Sequence, residues 1–203
     1  LKLLDRKELE KVLDFKLGSK NMLITFHPVT LEHRSSEEQM QELLLTLGEL
    51  DDTHLIFTMP NADTDGRILF RLINHFVEKH PHSRAFTSLG QLHYLSCIQH
   101  VDGVVGNSSS GLAEVPSFKK GTINIGDRQR GRIKADSVID CGPTRKSIGD
   151  ALKKLYSTDF QRTLKTVVNP YGTGGASEAI VKILEDISLS DILKKEFHDL
   201  EVE

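Results

Sequence analysis

Residues 103–129 of the chain have the sequence GVVGNSSSGLAEVPSFKKGTINIGDRQ, in which two short apolar runs enclose a polar segment and a helical segment. The apolar runs, Gly103–Val105 and Thr122–Ile125, are rich in β-branched residues, which is typical of strands. Between them, Gly111–Phe118 is predicted to be a helix. A strand, a crossover helix and a second strand predict a parallel pair of strands with the helix packed on the sheet.

The same alternation of apolar runs and amphipathic stretches begins at Asn21 and predicts an α/β fold, a Rossmann-like doubly wound parallel sheet. Continuous apolar runs such as HLIFTM fit strands that are buried on both faces. The predicted strands are Met22–Phe26, Leu55–Met59, Arg84–Thr87, Gly103–Val105, Thr122–Ile125 and Val138–Asp140. The predicted helices between them are Ser36–Leu50, Asp65–Lys79, Gln91–Gln99 and Gly111–Phe118.

After Cys141 the pattern predicts helices only, as a helical tail from about residue 144. The segment NPYGTGG, residues 169–175, is the strongest linker-like break in the chain. The predicted tail helices are Thr144–Tyr156, Asp159–Val167, Ala176–Ile187 and Ser190–Phe197.

Composition excludes several classes of protein. The 203 residues carry a formal net charge of −3 with dispersed basic residues, which is unlike a nucleic-acid binder. No apolar run approaches the roughly 20 residues that span a bilayer. Cys97 and Cys141 are predicted to be free thiols in a reducing compartment, with a disulfide as the alternative, so we expect a cytoplasmic protein. The chain lacks an initiator Met and starts in what resembles the middle of a helix, so we expect a piece of a longer protein.

Polar segments follow four of the predicted strands. Ligands of parallel sheets bind beyond the carboxyl ends of the strands, so these segments are expected to converge on one edge. They are His27-Pro28, Pro60-Asn61-Ala62-Asp63, the GNSSSG run Gly106–Gly111, and Gly126-Asp127-Arg128-Gln129.

The GNSSSG run is a candidate anion site. Its glycines and serines precede a predicted helix, so backbone N–H groups and the positive end of the helix dipole could face an anion. The run lacks the Gly-Lys-Ser/Thr signature of a Walker loop and is not a GxGxxG turn. The alternative is a serine-rich loop that only caps the helix.

Three further side chains are candidates for a ligand site. Glu114, one turn into the predicted helix, could accept hydrogen bonds from ribose hydroxyls, or it could be a surface carboxylate that complements the helix dipole. Arg128 could pair with phosphate or a nucleobase edge, or belong to a solvated basic turn. His27 could carry a proton or contact phosphate near neutral pH, or be structural. The other histidines form no HExxH pattern, and we expect no metal and no cofactor.

Taken together, these residues resemble the UDP-N-acetylglucosamine 2-epimerase family, and its hydrolysing branch in particular. The resemblance covers essentially the whole chain, from LLDRKELEKVLDFKLGSKNMLITFHPVT through PNAD and VVGNSSSGLAEVPSFKKGTINIGDRQRGR to NPYGTGGAS. It implies a glycosyltransferase-B-type fold of two Rossmann-like domains, of which residues 1–203 would be the C-terminal, UDP-binding one. The N-terminal domain, which carries the catalytic carboxylates in the family, would then be the partner of this chain.

The resemblance also implies roles for individual residues. His27 matches the family's catalytic histidine near the diphosphate and sugar. The positions that match contacts to UDP or the UDP-sugar are Asn61, Leu89, Ser108, Ser109, Glu114 and Arg128.

The implied activity of the full-length protein is conversion of UDP-N-acetylglucosamine and water to UDP and N-acetylmannosamine, as in sialic acid biosynthesis. The chain alone is expected to be inactive. Two alternatives stay open: a non-hydrolysing epimerase that releases UDP-N-acetylmannosamine, and a nucleotide-sugar-binding module without catalysis. The His27-Pro28 pair favours the hydrolysing branch, because the other branch resembles a His-Arg-Arg-Glu run at this motif. The apolar faces of the tail helices could promote a homo-oligomer, such as a dimer.

Overall fold

The computed structural model describes residues 1–29, 36–60, 66–188 and 190. Its centre is a six-stranded sheet in the order β3-β2-β1-β4-β5-β6, with every neighbouring pair parallel. The chain builds β1 to β3 outward on one side and then returns to place β4 beside β1. This reversal creates a topological switch point between β1 and β4. The strands are β1 Lys20–Thr25, β2 Thr53–Thr58, β3 Ser83–Phe86, β4 Gly103–Gly106, β5 Gly121–Ile125 and β6 Val138–Cys141.

Helices cover both faces of this sheet. Alternate residues of one strand point to opposite faces, so Met22 and Ile24 of β1 lie in one apolar cluster while Leu23 lies in the other. This division explains why the strands are nearly continuous apolar runs. The helices are α1 Arg6–Leu13, α2 Ser36–Leu47, α3 Gly66–Lys79, α4 Gly90–His100, α5 Ser110–Ala113, α6 Arg145–Leu155, α7 Thr158–Thr166 and α8 Ala176–Asp186, with a 3₁₀ turn at Val115–Phe118.

The N-terminal helix α1 begins after a complete capping box. The side chain of Asp5 accepts from the backbone N–H of Glu8, and the side chain of Glu8 accepts from the backbone N–H of Asp5. The expectation that the chain starts inside a helix is therefore wrong, since α1 starts at Arg6.

The helix predicted over Gly111–Phe118 is two short pieces, α5 and the 3₁₀ turn. Pro116 has no N–H to donate and disfavours helical geometry in the residue before it, which interrupts a regular helix here. Lys119 then ends the 3₁₀ turn in the left-handed region, with φ 57°.

After β6 the described residues form helices only, and the first two of these helices pack against the sheet. Residues of α6 and α7 such as Leu152, Leu155 and Phe160 belong to the same buried cluster as the strands. The chain divides into one compact unit, Leu1–Tyr171, and a second, Gly172–Glu203. Gly172, Gly174 and Gly175 all have positive φ, which glycine adopts without the steric cost that other residues incur.

Within the second unit, α8 buries none of its residues. Its exposed apolar side chains include Ile180, Ile183 and Leu184, which recur at helical spacing and therefore share one face. Most of the predicted helix Ser190–Phe197 lies outside the described residues. Over the described ranges, none of the helices combines the length and the apolar character needed to cross a membrane.

Candidate functional site

The polar segments after β1, β4 and β5 meet at the carboxyl edge of the sheet, beside the switch point. His27 lies two residues beyond β1, and the GNSSSG run begins at the last residue of β4. Arg128 lies three residues beyond β5. The structure thus brings together four of the predicted site residues: His27, Ser108, Ser109 and Arg128.

Asn107 is the centre of this edge. It is completely buried, and its side chain pairs with the backbone of His27 through two hydrogen bonds. The backbone N–H of His27 donates to Oδ1 of Asn107 at 2.7 Å, and Nδ2 of Asn107 donates to the carbonyl oxygen of His27 at 2.9 Å. The backbone N–H of Asn107 also donates to the carbonyl of Thr25 at 3.2 Å. The segments after β1 and β4 are therefore fixed to each other.

Gly106 permits this close approach. Its φ is 143°, and a Cβ atom at this position would lie 1.9 Å from the carbonyl oxygen of Thr25. Any side chain would push the GNSSSG run away from β1, so glycine is required here.

The carbonyl oxygen of Asn107 accepts from the segment after β5. Nε2 of Gln129 donates to it at 2.8 Å and Nη1 of Arg128 donates at 3.1 Å. Gln129 is buried, whereas Arg128 is exposed and keeps the rest of its guanidinium accessible. Because one carbonyl receives both donors, Asn107 also fixes the position of Arg128 relative to His27.

The serines of the GNSSSG run are half-buried, and their backbone is partly unpaired. Among the described residues, the N–H groups of Ser108 and Ser109 have no acceptor, while that of Ser110 approaches Oγ of Ser108 at 3.4 Å. The α5 helix that follows has four residues. The prediction that a helix dipole attracts the anion is therefore wrong, because α5 is too short. Any attraction for an anion comes from individual N–H and hydroxyl donors and from Arg128.

Glu114 is exposed at the junction between α5 and the 3₁₀ turn. Its backbone N–H donates to the carbonyl of Ser110, so its position depends on the serine run. Beneath that run lies Tyr94 of α4. Burial raises the pKa of the Tyr94 phenol, the Glu114 charge acts in the same direction, and the nearby hydroxyls of Ser110 and Thr25 oppose the shift.

Of the two remaining predicted residues, Leu89 alone belongs to the described part of the chain. Leu89 is buried just before α4, beyond β3, and β2 separates β3 from β1 in the sheet. Across the described part of the chain, no hydrogen bond joins Leu89 to Asn107. Asn61 lies outside the described residues, as do residues 62–65.

Sequence reasoning missed Asn107, Gln129 and Tyr94. Asn107 was visible as the first polar residue after a predicted strand and stood inside the GNSSSG run. Gln129 likewise ended the polar segment after β5. Nothing in the sequence around Tyr94 distinguishes it from a core aromatic residue of an amphipathic helix.

The chain belongs to the UDP-N-acetylglucosamine 2-epimerase family, because residues 2–185 match the sequence model of that family. It is 38% identical to a GDP/UDP-N,N'-diacetylbacillosamine 2-epimerase (hydrolyzing) of Campylobacter jejuni, over 97% of this chain and 51% of that protein. It is 31% identical to a UDP-N,N'-diacetylbacillosamine 2-epimerase (hydrolyzing) of Legionella pneumophila, over 89% of this chain and 47% of that protein. The chain thus spans about half the length of these curated relatives.

A solved structure supports the fold. The structure of MnaA from S. aureus with UDP superimposes with a TM-score of 0.68 at 18% identity, covering 90% of this chain and 50% of that one. This likeness confirms the prediction of a Rossmann-like, glycosyltransferase-B-type domain fold.

Proposed function

We propose that this chain is the nucleotide-binding half of a hydrolysing 2-epimerase that acts on a UDP-linked 2-acetamido sugar. The observation that carries the proposal is the convergence of His27, the serine run and Arg128 on Asn107, at the switch point of a chain that belongs to the epimerase family. Ligands of open parallel sheets bind at this place. In this proposal residues 1–171 hold the UDP part of the substrate.

The diphosphate is the part that this edge is best suited to hold. The free N–H groups of Ser108 and Ser109, their hydroxyls and the guanidinium of Arg128 are donors on residues that follow Asn107 directly or contact its carbonyl oxygen. Donors to a charged oxygen contribute about 1.5 to 3 kcal/mol each. Several such donors together would bind the diphosphate despite its repulsion by the net negative charge of the chain.

The nucleoside part is assigned to three residues. Glu114 is exposed one turn beyond the serine run, where its carboxylate can accept hydrogen bonds from ribose hydroxyls. The backbone near Leu89 and the side chain of Asn61 are proposed contacts of the base and nucleotide. For Asn61 this proposal comes from the sequence alone.

In the proposed reaction, a base removes the C2 proton of the sugar and the bond between C1 and the diphosphate oxygen breaks, which leaves a glycal and UDP. Water then adds across the double bond. Its hydroxyl group goes to C1, and a proton goes to C2 on the face opposite to the one from which the first proton was removed. Departure of UDP develops negative charge on its oxygens, and His27 with the serine donors would stabilise that charge. The carboxylates that move the C2 proton are assigned to the half of the relatives' length that this chain does not match.

Two UDP-linked sugars are candidate substrates. The sequence resemblance favours UDP-N-acetylglucosamine, with N-acetylmannosamine as product and sialic acid synthesis as its use. The names of the Campylobacter and Legionella relatives favour UDP-N,N'-diacetylbacillosamine. Incubating the full-length protein with each nucleotide sugar, followed by mass spectrometry of the released sugar, distinguishes them. The word hydrolyzing in both names supports release of free UDP over the non-hydrolysing alternative.

We also propose where and with what the chain works. Two free cysteines support a reducing compartment such as the cytoplasm. Its proposed partners are UDP or a UDP-sugar, the other half of the full-length protein and a second copy of itself.

Calorimetric titration of the chain with UDP tests the proposal. We expect saturable binding to the parent and loss of binding in a Ser108→Ala, Arg128→Ala double variant that keeps its melting temperature. If neither the chain nor the full-length protein binds UDP at millimolar concentration, the proposed function is wrong. If only the full-length protein binds, the missing half completes the nucleotide site.

A further inference from the structure

The NPYG segment, which begins at Asn169, is a sequence motif to which the proposed function assigns no role. Its first three residues end the first compact unit, immediately before the glycines with positive φ. Residues 167–171, here called the strap, cross the short helical segment that carries Glu114. They make hydrogen bonds to two different loops of the candidate site.

Asn169 makes the central contacts of the strap. Its Nδ2 donates to the carbonyl oxygen of Ala113 at 2.8 Å and to Oγ of Ser117 at 2.7 Å. Ala113 immediately precedes Glu114, and the backbone N–H of Ser117 donates to the carbonyl oxygen of Glu114 at 3.0 Å. The single carboxamide therefore holds the chain on both sides of Glu114.

Neighbouring residues fix the strap itself. The backbone N–H of Tyr171 donates to Oδ1 of Asn169 at 2.9 Å, which orients the carboxamide. Nζ of Lys119 donates to the carbonyl oxygen of Val167, and Val167 is 3% exposed. The oxygen of the Asn169 carboxamide is thus bound within the strap, while its nitrogen donates to the segment that carries Glu114.

The other end of the strap contacts the loop that contains Arg128. The hydroxyl of Tyr171 donates to the carbonyl oxygen of Ile133 at 3.0 Å. This bond is independent of Ala113 and Ser117, and Tyr171 is 49% exposed. Tyr171 therefore offers a control on the same strap that leaves the contacts around Glu114 intact.

We propose that Asn169 is a positioning residue for the nucleotide site, which sets the place of the Glu114 carboxylate relative to the serine run. This inference rests on the proposed function, because it assigns Glu114 to the ribose hydroxyls. Asn169 does not touch the nucleotide. It acts by stiffening a segment in which α5 has only four residues and the next four residues form a 3₁₀ turn.

The first experiment needs no ligand. Asn169→Asp keeps the shape of the side chain and the acceptor for Tyr171 but loses both donated hydrogen bonds. We expect faster amide hydrogen exchange within residues 110–119 in this variant, and parent-like exchange there in Tyr171→Phe. Unchanged exchange in Asn169→Asp overturns the inference, whether or not the chain binds UDP.

The second experiment compares the affinities for UDP and for its 2'-deoxy analogue. Loss of one hydrogen bond to a carboxylate corresponds to about a tenfold preference of the parent for UDP. We expect that preference to fall toward onefold in Asn169→Asp and in Glu114→Gln, with no further fall when both changes are combined. Tyr171→Phe should keep it. A general loss of stability would lower the affinities for UDP and for the 2'-deoxy analogue equally and leave their ratio unchanged.

The two proposals fail in different ways. Failure of both the chain and the full-length protein to bind UDP contradicts the proposed function, while the exchange measurement on the chain still decides whether Asn169 holds the segment around Glu114. A parent that prefers UDP, together with an Asn169→Asp variant that keeps the full preference, contradicts the positioning role alone. An equal fall in Tyr171→Phe also contradicts it, because the effect would then not pass through Ala113 and Ser117.

Discussion

Asn107 and His27 are 80 residues apart in the chain and are joined by two hydrogen bonds between one side chain and one backbone unit. The carboxamide of Asn107 presents one acceptor and one donor to the N–H and C=O of His27, as a neighbouring strand would. The same pairing occurs at the other end of β1, where Oδ1 of Asn21 accepts from the N–H of Gly18 at 2.8 Å and its Nδ2 donates to the carbonyl of Gly18 at 3.1 Å. One pair lies at the candidate site and the other far from it.

Because the two asparagines make the same kind of pair, Asn21 provides a matched control for a test of Asn107. Asn107→Asp loses the donor to His27 and places a carboxylate beside a carbonyl oxygen, at a fully buried position where an anion is proposed to bind. We expect the free energy of unfolding to fall by about 1 to 3 kcal/mol, and the UDP affinity of the folded chain to fall at least tenfold. Urea unfolding and calorimetry measure the two effects.

Asn21→Asp is the control, because it breaks the equivalent pair and Asn21 is also buried. It should destabilise the chain to a similar degree and leave UDP affinity within about twofold of the parent. Equal UDP affinities in the two variants would show that the Asn107 pairing serves only stability.

Glu10 predicts a pH dependence of stability. Its carboxylate accepts from the backbone N–H of Leu17 at 3.1 Å and lies 3.2 Å from both Lys16 and Arg6, and these interactions lower the pKa of Glu10 below its ordinary value of 4.5. A lowered folded-state pKa contributes stability above pH 4.5, and that contribution disappears as the pH falls through the folded-state value. We expect Glu10→Gln to be less stable than the parent at pH 7, by about 1 kcal/mol, and equal to it in strong acid. A difference that does not narrow as the pH falls would contradict this account.

The two cysteines predict slow thiol chemistry. Burial raises the pKa of Cys97 to about 12, and burial together with Asp140 raises that of Cys141 to about 12. Since the thiolate is the reactive form, the native chain should react slowly with a disulfide reagent at pH 8. The unfolded chain, assayed without reductant, should release two equivalents of the reagent's thiolate per chain, because both cysteines are free. Zero equivalents would indicate a disulfide instead.

The exposed face of α8 predicts self-association. Leu184 is 64% exposed on that face, next to Ile180 and Ile183. Covering such a face with a second copy of the chain removes apolar surface from water. Light scattering during size exclusion should show a mass that rises with concentration, and Leu184→Glu should return it to that of a monomer. Leu45→Glu changes a leucine that is 55% exposed on α2 and should leave the mass unchanged. A parent chain that has the mass of a monomer at every concentration would contradict the prediction.

Much of the fold was predictable because it follows from local patterns of burial. Each predicted strand overlaps an observed one, and the errors are at the ends. Lys20 and Asn21 belong to β1 although they are polar, because they pair in register with Thr53 and His54. A strand end that consists of polar residues therefore gives no apolar run in the sequence, and backbone pairing defines it.

The candidate site was predictable only in part. His27, Ser108, Ser109 and Arg128 could be found because polar residues directly after buried strands must lie at the carboxyl edge of a parallel sheet. The positioning residues could not be found this way. A buried asparagine or a tyrosine on an amphipathic helix has no pattern of its own, and its role depends on which backbone groups the fold brings near.

The sequence by itself determined the α/β alternation, the parallel sheet and the identity of the polar segments at its edge, because burial and strand ends leave a local record in the chain. Only the tertiary structure decided how those segments are joined. The partners of Asn107 are 80, 21 and 22 residues away, and Ala113 is 56 residues from Asn169. Such hydrogen bonds form between groups that meet only when the sheet and its crossovers are complete, so no pattern of neighbouring residues encodes them.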